Sequence, residues 1–398
     1  VSGDDEQYEG DGFDVDPDAI DFPPIDDGDG PPPAAFDGLN GPQADAVAAV
    51  YGPLVVFAGA GSGKTRVITF RIANLLANHR VPPYRVLAVT FTNKAAGEMR
   101  ARLDKLVGPE LARDLWVGTF HATCAKLLRR YHEAAGLGRE FVIYDDDDQR
   151  ALVNRVLRDL GIDDKRFGVK QVLGRIHKEK QEGVTAADFT PGNFADEIVG
   201  RCFREYEARM QRSNAVDFDD LLLHVVRIAE DPTSPAGAEL RSRFRHVLVD
   251  EFQDVNRVQY RLVRALSQEH ENLCVVGDDD QSIYRWRGAD VRILRSFRRD
   301  HPSAKIVKLE QNYRSSKNVV RAALGVIQRA HEREPKELWT SNAPGEPVAV
   351  VAAASERDEA AFVAERVHEL IERGVSPAEI AVFYRMHAQS RVLEEVFR

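Results

Sequence analysis

Four apolar residues, Leu54-Val-Val-Phe57, run straight into Ala58-Gly-Ala-Gly-Ser-Gly-Lys-Thr65. A buried strand that ends in a glycine-rich loop, continues into Lys-Thr and opens a helix leaves few folds available, because that loop is a phosphate cradle. Glycines allow successive backbone N–H groups to turn inward around phosphate oxygens without a Cβ in the way. Lys64 is spaced to reach the β- and γ-phosphates and Thr65 to ligate Mg²⁺ through its hydroxyl, while the helix start adds the positive end of its dipole. Ala58 stands where the strict pattern has Gly, at the entry to the loop. Gly59, Gly61 and Gly63, with Ala60 and Ser62 between them, still supply the cradle, and Arg66 follows on the helix. The amphipathic continuation Val67–Leu76 completes a strand–loop–helix unit.

The 398 residues exceed what one core organises, so more than one domain is expected. Cys124, Cys202 and Cys274 form no CxxC pair and read as reduced structural thiols. No apolar run approaches the roughly 18 residues of a membrane span, and the first residues are acidic where a signal peptide is basic. A soluble protein of a bacterial-type cytoplasm, with no membrane partner, is the expectation. The chain opens on Val, as a processed or excerpted sequence does.

The net charge of −10 is concentrated at one end. Residues 1–36 hold twelve of the 64 Asp and Glu and none of the 54 Lys and Arg, and they close on a Pro-rich stretch. That composition predicts a disordered acidic tail, either merely solubilising or a docking segment for a protein partner. The rest is close to neutral and so able to carry basic surfaces for nucleic acid.

Short non-alternating apolar runs recur, each followed by a polar cluster. Leu54–Phe57 precedes the phosphate loop, Val86–Val89 precedes Thr90-Phe-Thr-Asn93, and Leu115–Val117 precedes Gly118-Thr-Phe-His121. Val247–Val249 precedes Asp250-Glu-Phe-Gln-Asp254, and Leu273–Val276 precedes Gly277-Asp-Asp-Asp-Gln281. Such runs suit parallel strands buried on both faces, whose carboxyl ends carry the ligand sites of an open α/β sheet. Between His121 and Val216 the period becomes helical, which predicts a helical insertion over 121–215. Asp145–Asp148 and Asp217–Asp220 read as acidic helix starts rather than metal sites.

Two clusters add chemistry to the loop. Asp250 at a strand end is suited to hold Mg²⁺, and Glu251 to orient and deprotonate an attacking water. Gln281 is an uncharged donor and acceptor suited to sensing a γ-phosphate. Tyr284-Arg-Trp-Arg287 interleaves aromatic and cationic groups, as a base-stacking platform beside a charged backbone requires.

Taken in order and spacing, the phosphate loop, Thr-Phe-Thr-Asn-Lys-Ala-Ala, Gly-Thr-Phe-His, Asp-Glu-Phe-Gln-Asp and Gly-Asp-Asp-Asp-Gln-Ser-Ile-Tyr-Arg-Trp-Arg-Gly-Ala resemble the Rep/UvrD/PcrA group of superfamily 1 DNA helicases over about residues 37–398. The resemblance implies an ATP-driven motor moving 3′ to 5′ on single-stranded DNA and opening partial duplexes, in repair or replication restart. Its fold would be RecA-like: an α/β P-loop NTPase parallel sheet divided between 37–120 and 216–304 by the helical insertion, then an incomplete second RecA-like domain over 305–398. By resemblance Gln43 recognises the adenine edge, Tyr313 stacks on adenine and Arg314 contacts the γ-phosphate. Gln281 couples that phosphate to the DNA site, where Trp286 stacks on a base with Tyr284 and Arg287 nearby, and Phe91, Asn93, Phe120 and His121 are further single-strand contacts. Lys64, Asp250, Glu251, Gln281 and Arg314 form the expected catalytic set.

In the final region Pro347–Val351 and Ile380–Phe383 are strand-like, with a helix over Ala360–Ile371 between them. The resemblance breaks off before the family's second helical insertion and its last motifs, which carry a second arginine for the transition state. The chain is therefore expected to bind ATP, hydrolyse it poorly and not unwind duplexes alone. Two other readings are the motor part of a helicase–nuclease and a nucleotide-dependent DNA-binding module.

Overall fold

The computed structural model describes residues 38–163, 165–285, 288–330 and 333–398. The acidic segment 1–36, Trp286 and Arg287 lie outside the described residues. Each apolar run forms a strand: β1 Leu54–Ala58, β2 Val86–Thr90, β3 Trp116–Thr119, then β4 Val142–Ile143 and β5 Ala215–Val216, followed by β6 His246–Val249, β7 Leu273–Gly277 and β8 Lys305–Leu309. Six of them build one parallel sheet in the order β3-β2-β6-β7-β1-β8.

Alternation within each apolar run explains why both faces are covered. Val55, Phe57, Leu87, Val89, Val247, Val249 and Val275 enter one core, whereas Leu54, Val56, Val86, Ala88, Leu248 and Val276 enter the other. Successive strand side chains point to opposite faces, so a strand apolar at every position must be sandwiched between helices.

A third core gathers Leu152, Val156, Ile176, Phe203 and Tyr206, on helices Asp146–Asp159, Val169–Gln181 and Phe194–Arg212, with Ala215 of β5. The short parallel pair β4–β5 closes this insertion. Helix Phe120–Arg130, at the start of the segment read as inserted, packs instead with Cys124, Leu127 and Leu128 in the core of the main sheet. Both acidic clusters are helix starts as read: Asp145 with Asp148, and Asp217 with Asp220, form reciprocal capping boxes. All three cysteines are buried free thiols. Among the described residues no helix is long and apolar enough to cross a membrane.

Two features of the final region differ from the sequence reading. β8, expected to open a second α/β unit, pairs with β1 along its whole length and extends the first sheet to Leu309. The segments 347–351 and 380–383 form no strand, and Val350 and Phe383 are 95% and 92% exposed. Their β-branched and aromatic residues carry strand propensity, but a strand exists only against a ladder partner, and neither segment has one. The intervening helix is present as Glu356–Glu372, beside helix His387–Phe397.

Candidate active site

The loop after β1 turns through Gly61 (φ 66°) and Gly63 (φ 91°), both in the left-handed region. A Cβ on Gly63 would sit 2.8 Å from Gln43 Nε2, and one on Gly61 2.7 Å from Asn312 Nδ2, so glycine is required on steric grounds as well. The loop carbonyls are all tied away from the cradle. Ala60 O accepts from Asn312 Nδ2 (2.6 Å), Gly61 O from Tyr313 N (2.9 Å) and Ser62 O from Gln43 Nε2 (2.9 Å). The first N–H groups of helix Lys64–Ala77 have no intrahelical acceptor, which leaves donors for an anion at its start. Ala58 is the buried last residue of β1, and the Arg66 guanidinium lies 5.2 Å from the Phe70 ring centre.

Helix Gly41–Ala48 brings Gln43 to this loop. Asn40 and Gln43 form its capping box, and Asn40 Nδ2 also donates to the Tyr313 hydroxyl at 2.7 Å. The helix is anchored from below by buried Arg71, whose guanidinium donates to Ala46 O (2.9 Å) and Val50 O (3.0 Å) at the helix C-terminal end. Those carbonyls have no acceptor role inside the helix, and a cation there also meets the negative end of its dipole.

The carboxyl end of β6 faces the cradle. Lys64 Nζ donates to Glu251 Oε2 at 2.6 Å, and the Thr65 hydroxyl lies 3.5 Å from Asp250 Oδ2. Burial, and then the neighbouring charge of Glu251, push the Asp250 carboxyl up to about 6, against the pull of Lys64. Glu251 itself sits at φ 49°, an uncommon conformation for a non-glycine residue that costs on the order of 1–3 kcal/mol. Its carboxylate also accepts from Gln253 Nε2 (2.8 Å), while Gln253 Oε1 accepts from Asp278 N (2.9 Å) at the end of β7. Gln281 Nε2 in turn donates to Asp278 Oδ2 at 2.6 Å. A chain of hydrogen bonds thus runs from Lys64 through Glu251, Gln253 and Asp278 to Gln281. Among the described residues, Asp254 Oδ1 and Thr90 Oγ1 find no partner and are buried at this sheet end.

Arg314 lies over the loop, its Cβ 2.8 Å from where a Gly61 Cβ would be. Asn312 places it: the buried Asn312 carbonyl accepts from Arg314 N (3.0 Å) and Ser315 N (2.7 Å) as its amide clasps Ala60 O. Asn312 and Gln253 are site residues that the sequence reading passed over, although Gln253 lies inside the Asp250–Asp254 stretch and Asn312 directly precedes Tyr313. Their signal is a side-chain amide flanked by chemistry-bearing neighbours.

The expected single-strand contacts fall at neighbouring strand ends. Phe91 follows β2 half-buried, its ring edge-on to Phe120 at 5.7 Å. Phe120 is 2% exposed and part of the core, so in this conformation it supports Phe91 and offers no surface of its own. Asn93 opens helix Asn93–Val107, capped by Thr92. His121 packs edge-on to Phe218 at 5.8 Å, and burial lowers its pKa, favouring the neutral ring. Tyr284 is partly exposed beyond β7.

The UvrD/REP helicase N-terminal domain model matches residues 39–302, and the UvrD-like helicase C-terminal domain model matches 307–398. The chain belongs to the UvrD/REP helicase family. It is 45% identical over 362 residues to the ATP-dependent DNA helicase PcrA of Staphylococcus epidermidis, covering 90% of this chain and 49% of that protein. The PcrA of Bacillus subtilis is 43% identical over the same span and shares. That of Staphylococcus aureus is 44% identical over 367 residues, 92% of this chain and 50% of the relative. The chain therefore spans about half the length of these relatives. Membership of this family fits the RecA-like character of the six-stranded parallel sheet.

Proposed function

We propose that this chain is the nucleotide-hydrolysing portion of an ATP-dependent DNA helicase that moves 3′ to 5′ along single-stranded DNA and opens partial duplexes, in DNA repair or replication restart. The observation that carries the reading is the hydrogen-bonded chain from Lys64 to Gln281, which joins the phosphate loop to the strand end bearing the aromatic and cationic cluster.

In this reading the γ-phosphate displaces Glu251 from Lys64. The freed Glu251 carboxylate accepts a proton from the water that attacks the γ-phosphorus as its bond to the β,γ-bridging oxygen breaks and the nucleoside diphosphate leaves, and Lys64 and Arg314 balance charge on the phosphoryl oxygens. Gln43 and Tyr313, joined through Asn40, flank the loop on the side where the base is held. Thr65 and Asp250 offer hard oxygen donors of the kind Mg²⁺ takes, and the unpartnered Asp254 and Thr90 oxygens are acceptors for its waters. Bound there, Mg²⁺ would neutralise the phosphate charge. Gln281 registers the γ-phosphate, and Phe91, Asn93, His121, Tyr284, Trp286 and Arg287 supply the DNA track.

Phosphate release with and without an oligo(dT) strand, on the parent and on Glu251→Gln, tests the reading. DNA-stimulated release that Glu251→Gln removes supports it. Nucleotide binding with no response to DNA would leave a nucleotide-dependent binding module instead. The same assay tests whether residues 1–398 turn over slowly by themselves.

A further inference from the structure

Three consecutive carboxylates, Asp278, Asp279 and Asp280, gather at the end of β7 with their oxygens close enough to share one cation. The cation is a side chain of the protein. Lys336 Nζ lies 2.5 Å from Asp278 Oδ1, 2.7 Å from Asp279 Oδ1 and 3.3 Å from Asp280 Oδ2, and Lys336 is only 7% exposed. Its neighbours extend the grip. Arg333 bonds Asp280 through two nitrogens (3.1 and 2.7 Å), and Glu334 N donates to Asp279 Oδ2 at 2.7 Å.

The pairing matters because of what Asp278 does with its remaining groups. Its second oxygen holds the Gln281 amide, and its N–H holds Gln253, which holds Glu251. Lys336 therefore fixes the carboxylate that holds the proposed phosphate sensor, on the residue whose backbone N–H holds the link to the proposed base. The same stretch reaches the phosphate loop from the other side. Trp339 N donates to Glu310 O (2.9 Å), Trp339 O accepts from Asn312 N (2.7 Å), and a Cβ on Gly59 would strike Leu338 Cδ1 at 2.3 Å. The segment thus contacts Asp278 on one side and lies beside the first glycine of the phosphate loop on the other.

We propose that Lys336 is a positioning residue for nucleotide-to-DNA coupling, its ammonium holding Asp278 in the orientation that aims Gln281. The inference rests on the reading of Gln281 given above. A burial role alone would stabilise the fold without touching the communication between sites, and that difference is measurable.

The test uses the full chain with Lys336→Met, which keeps length and removes charge, and Lys336→Arg, which keeps charge and alters its reach. Two quantities are read: affinity for a fluorescent ATP analogue, and the ratio of oligo(dT) affinities with and without a non-hydrolysable ATP analogue. In the parent the nucleotide shifts DNA affinity by at least about fivefold, the lower end of typical coupling. Lys336→Met is expected to reduce that shift to about twofold or less while nucleotide affinity stays within about twofold, and Lys336→Arg to retain part of the shift. On a Gln281→Ala background Lys336→Met should add nothing further. An unchanged shift in Lys336→Met, or a loss of nucleotide affinity in step with the shift, overturns the inference. Should Lys336→Met not fold, Lys336→Arg decides: a reduced shift supports the inference and an unchanged one overturns it. A parent that shows no shift overturns the underlying functional reading and this inference with it, and is recognised because the parent itself fails.

Discussion

Lys64 Nζ and Glu251 Oε2 are 2.6 Å apart, so the proposed phosphate-binding cation and the proposed base neutralise each other across the cradle. Neither is free to act until a γ-phosphate takes the place of the carboxylate.

From this pair follows the behaviour of Glu251→Gln. The neutral amide no longer competes with phosphate for Lys64, so a fluorescent ATP analogue should bind at least as tightly as to the parent. With no base, phosphate release should fall by about 10²–10⁴-fold. Equilibrium titration and a phosphate-release assay on one preparation check both, and a variant that weakens binding would show the pair to be supportive rather than competitive.

Asp250 and Asp254 set a pH dependence whose sign can be worked out. Burial is the first cause in both, followed by the Glu251 charge, and both carboxyls are pushed up from 3.8 to about 6. Between those values the unfolded chain has given up protons that the folded chain keeps, so the contribution of this pair to stability falls as pH rises through the window. Metal–nucleotide binding needs the ionised form of Asp250. Affinity for Mg²⁺–ATP should therefore weaken below pH 6, by up to about tenfold per pH unit, and Asp250→Asn should flatten the profile. Titrations between pH 5 and 7.5 measure it.

Asn312→Ala removes a clasp rather than a ligand contact. It leaves Ala60 O and the N–H groups of Arg314 and Ser315 without their partner in a partly buried place. A loss of about 1–3 kcal/mol is expected, together with weaker nucleotide binding because the loop carbonyls are no longer held outward. Urea unfolding and the same nucleotide titration check the two effects, and loss of stability with nucleotide affinity intact would assign Asn312 to folding alone.

Lys180 is fully buried against Asp217 (2.7 Å) and Asp220 (2.6 Å), joining an insertion helix to helix Phe218–Glu230. Lys180→Met would strand two carboxylates, Asp220 already pushed up to about 7 by burial and by Asp217. The expected cost is about 3–5 kcal/mol, read as a lower urea midpoint. An unchanged midpoint would mean that these carboxylates simply protonate in place.

The parts of this fold legible in the sequence are those whose cause is local. Apolar runs such as Val247–Val249 are strands because every second side chain enters a different core, and Asp250 and Glu251 sit at a strand end because the run stops there. β8 was harder to place. Lys305-Ile-Val-Lys-Leu309 is a half-exposed edge strand whose membership of the first sheet depends on β1, more than two hundred residues earlier. Asn312 reaches Ala60, Arg71 reaches Ala46 and Val50, and Lys336 reaches Asp278–Asp280, and nothing local announces those distant partners. Phe120 shows the opposite case: its motif is local, but its burial against Phe91 is tertiary.

The central claim is that the nucleotide state at Lys64 and Glu251 is felt at the DNA track through Gln281. Fluorescence anisotropy of a labelled oligo(dT) strand, titrated with parent and Gln281→Ala in the presence and absence of a non-hydrolysable ATP analogue, tests it most directly. The account predicts that nucleotide changes the affinity of the parent by at least about fivefold and that of Gln281→Ala by no more than about twofold. Equal affinities in the parent with and without nucleotide, or an undiminished shift in Gln281→Ala, would contradict it.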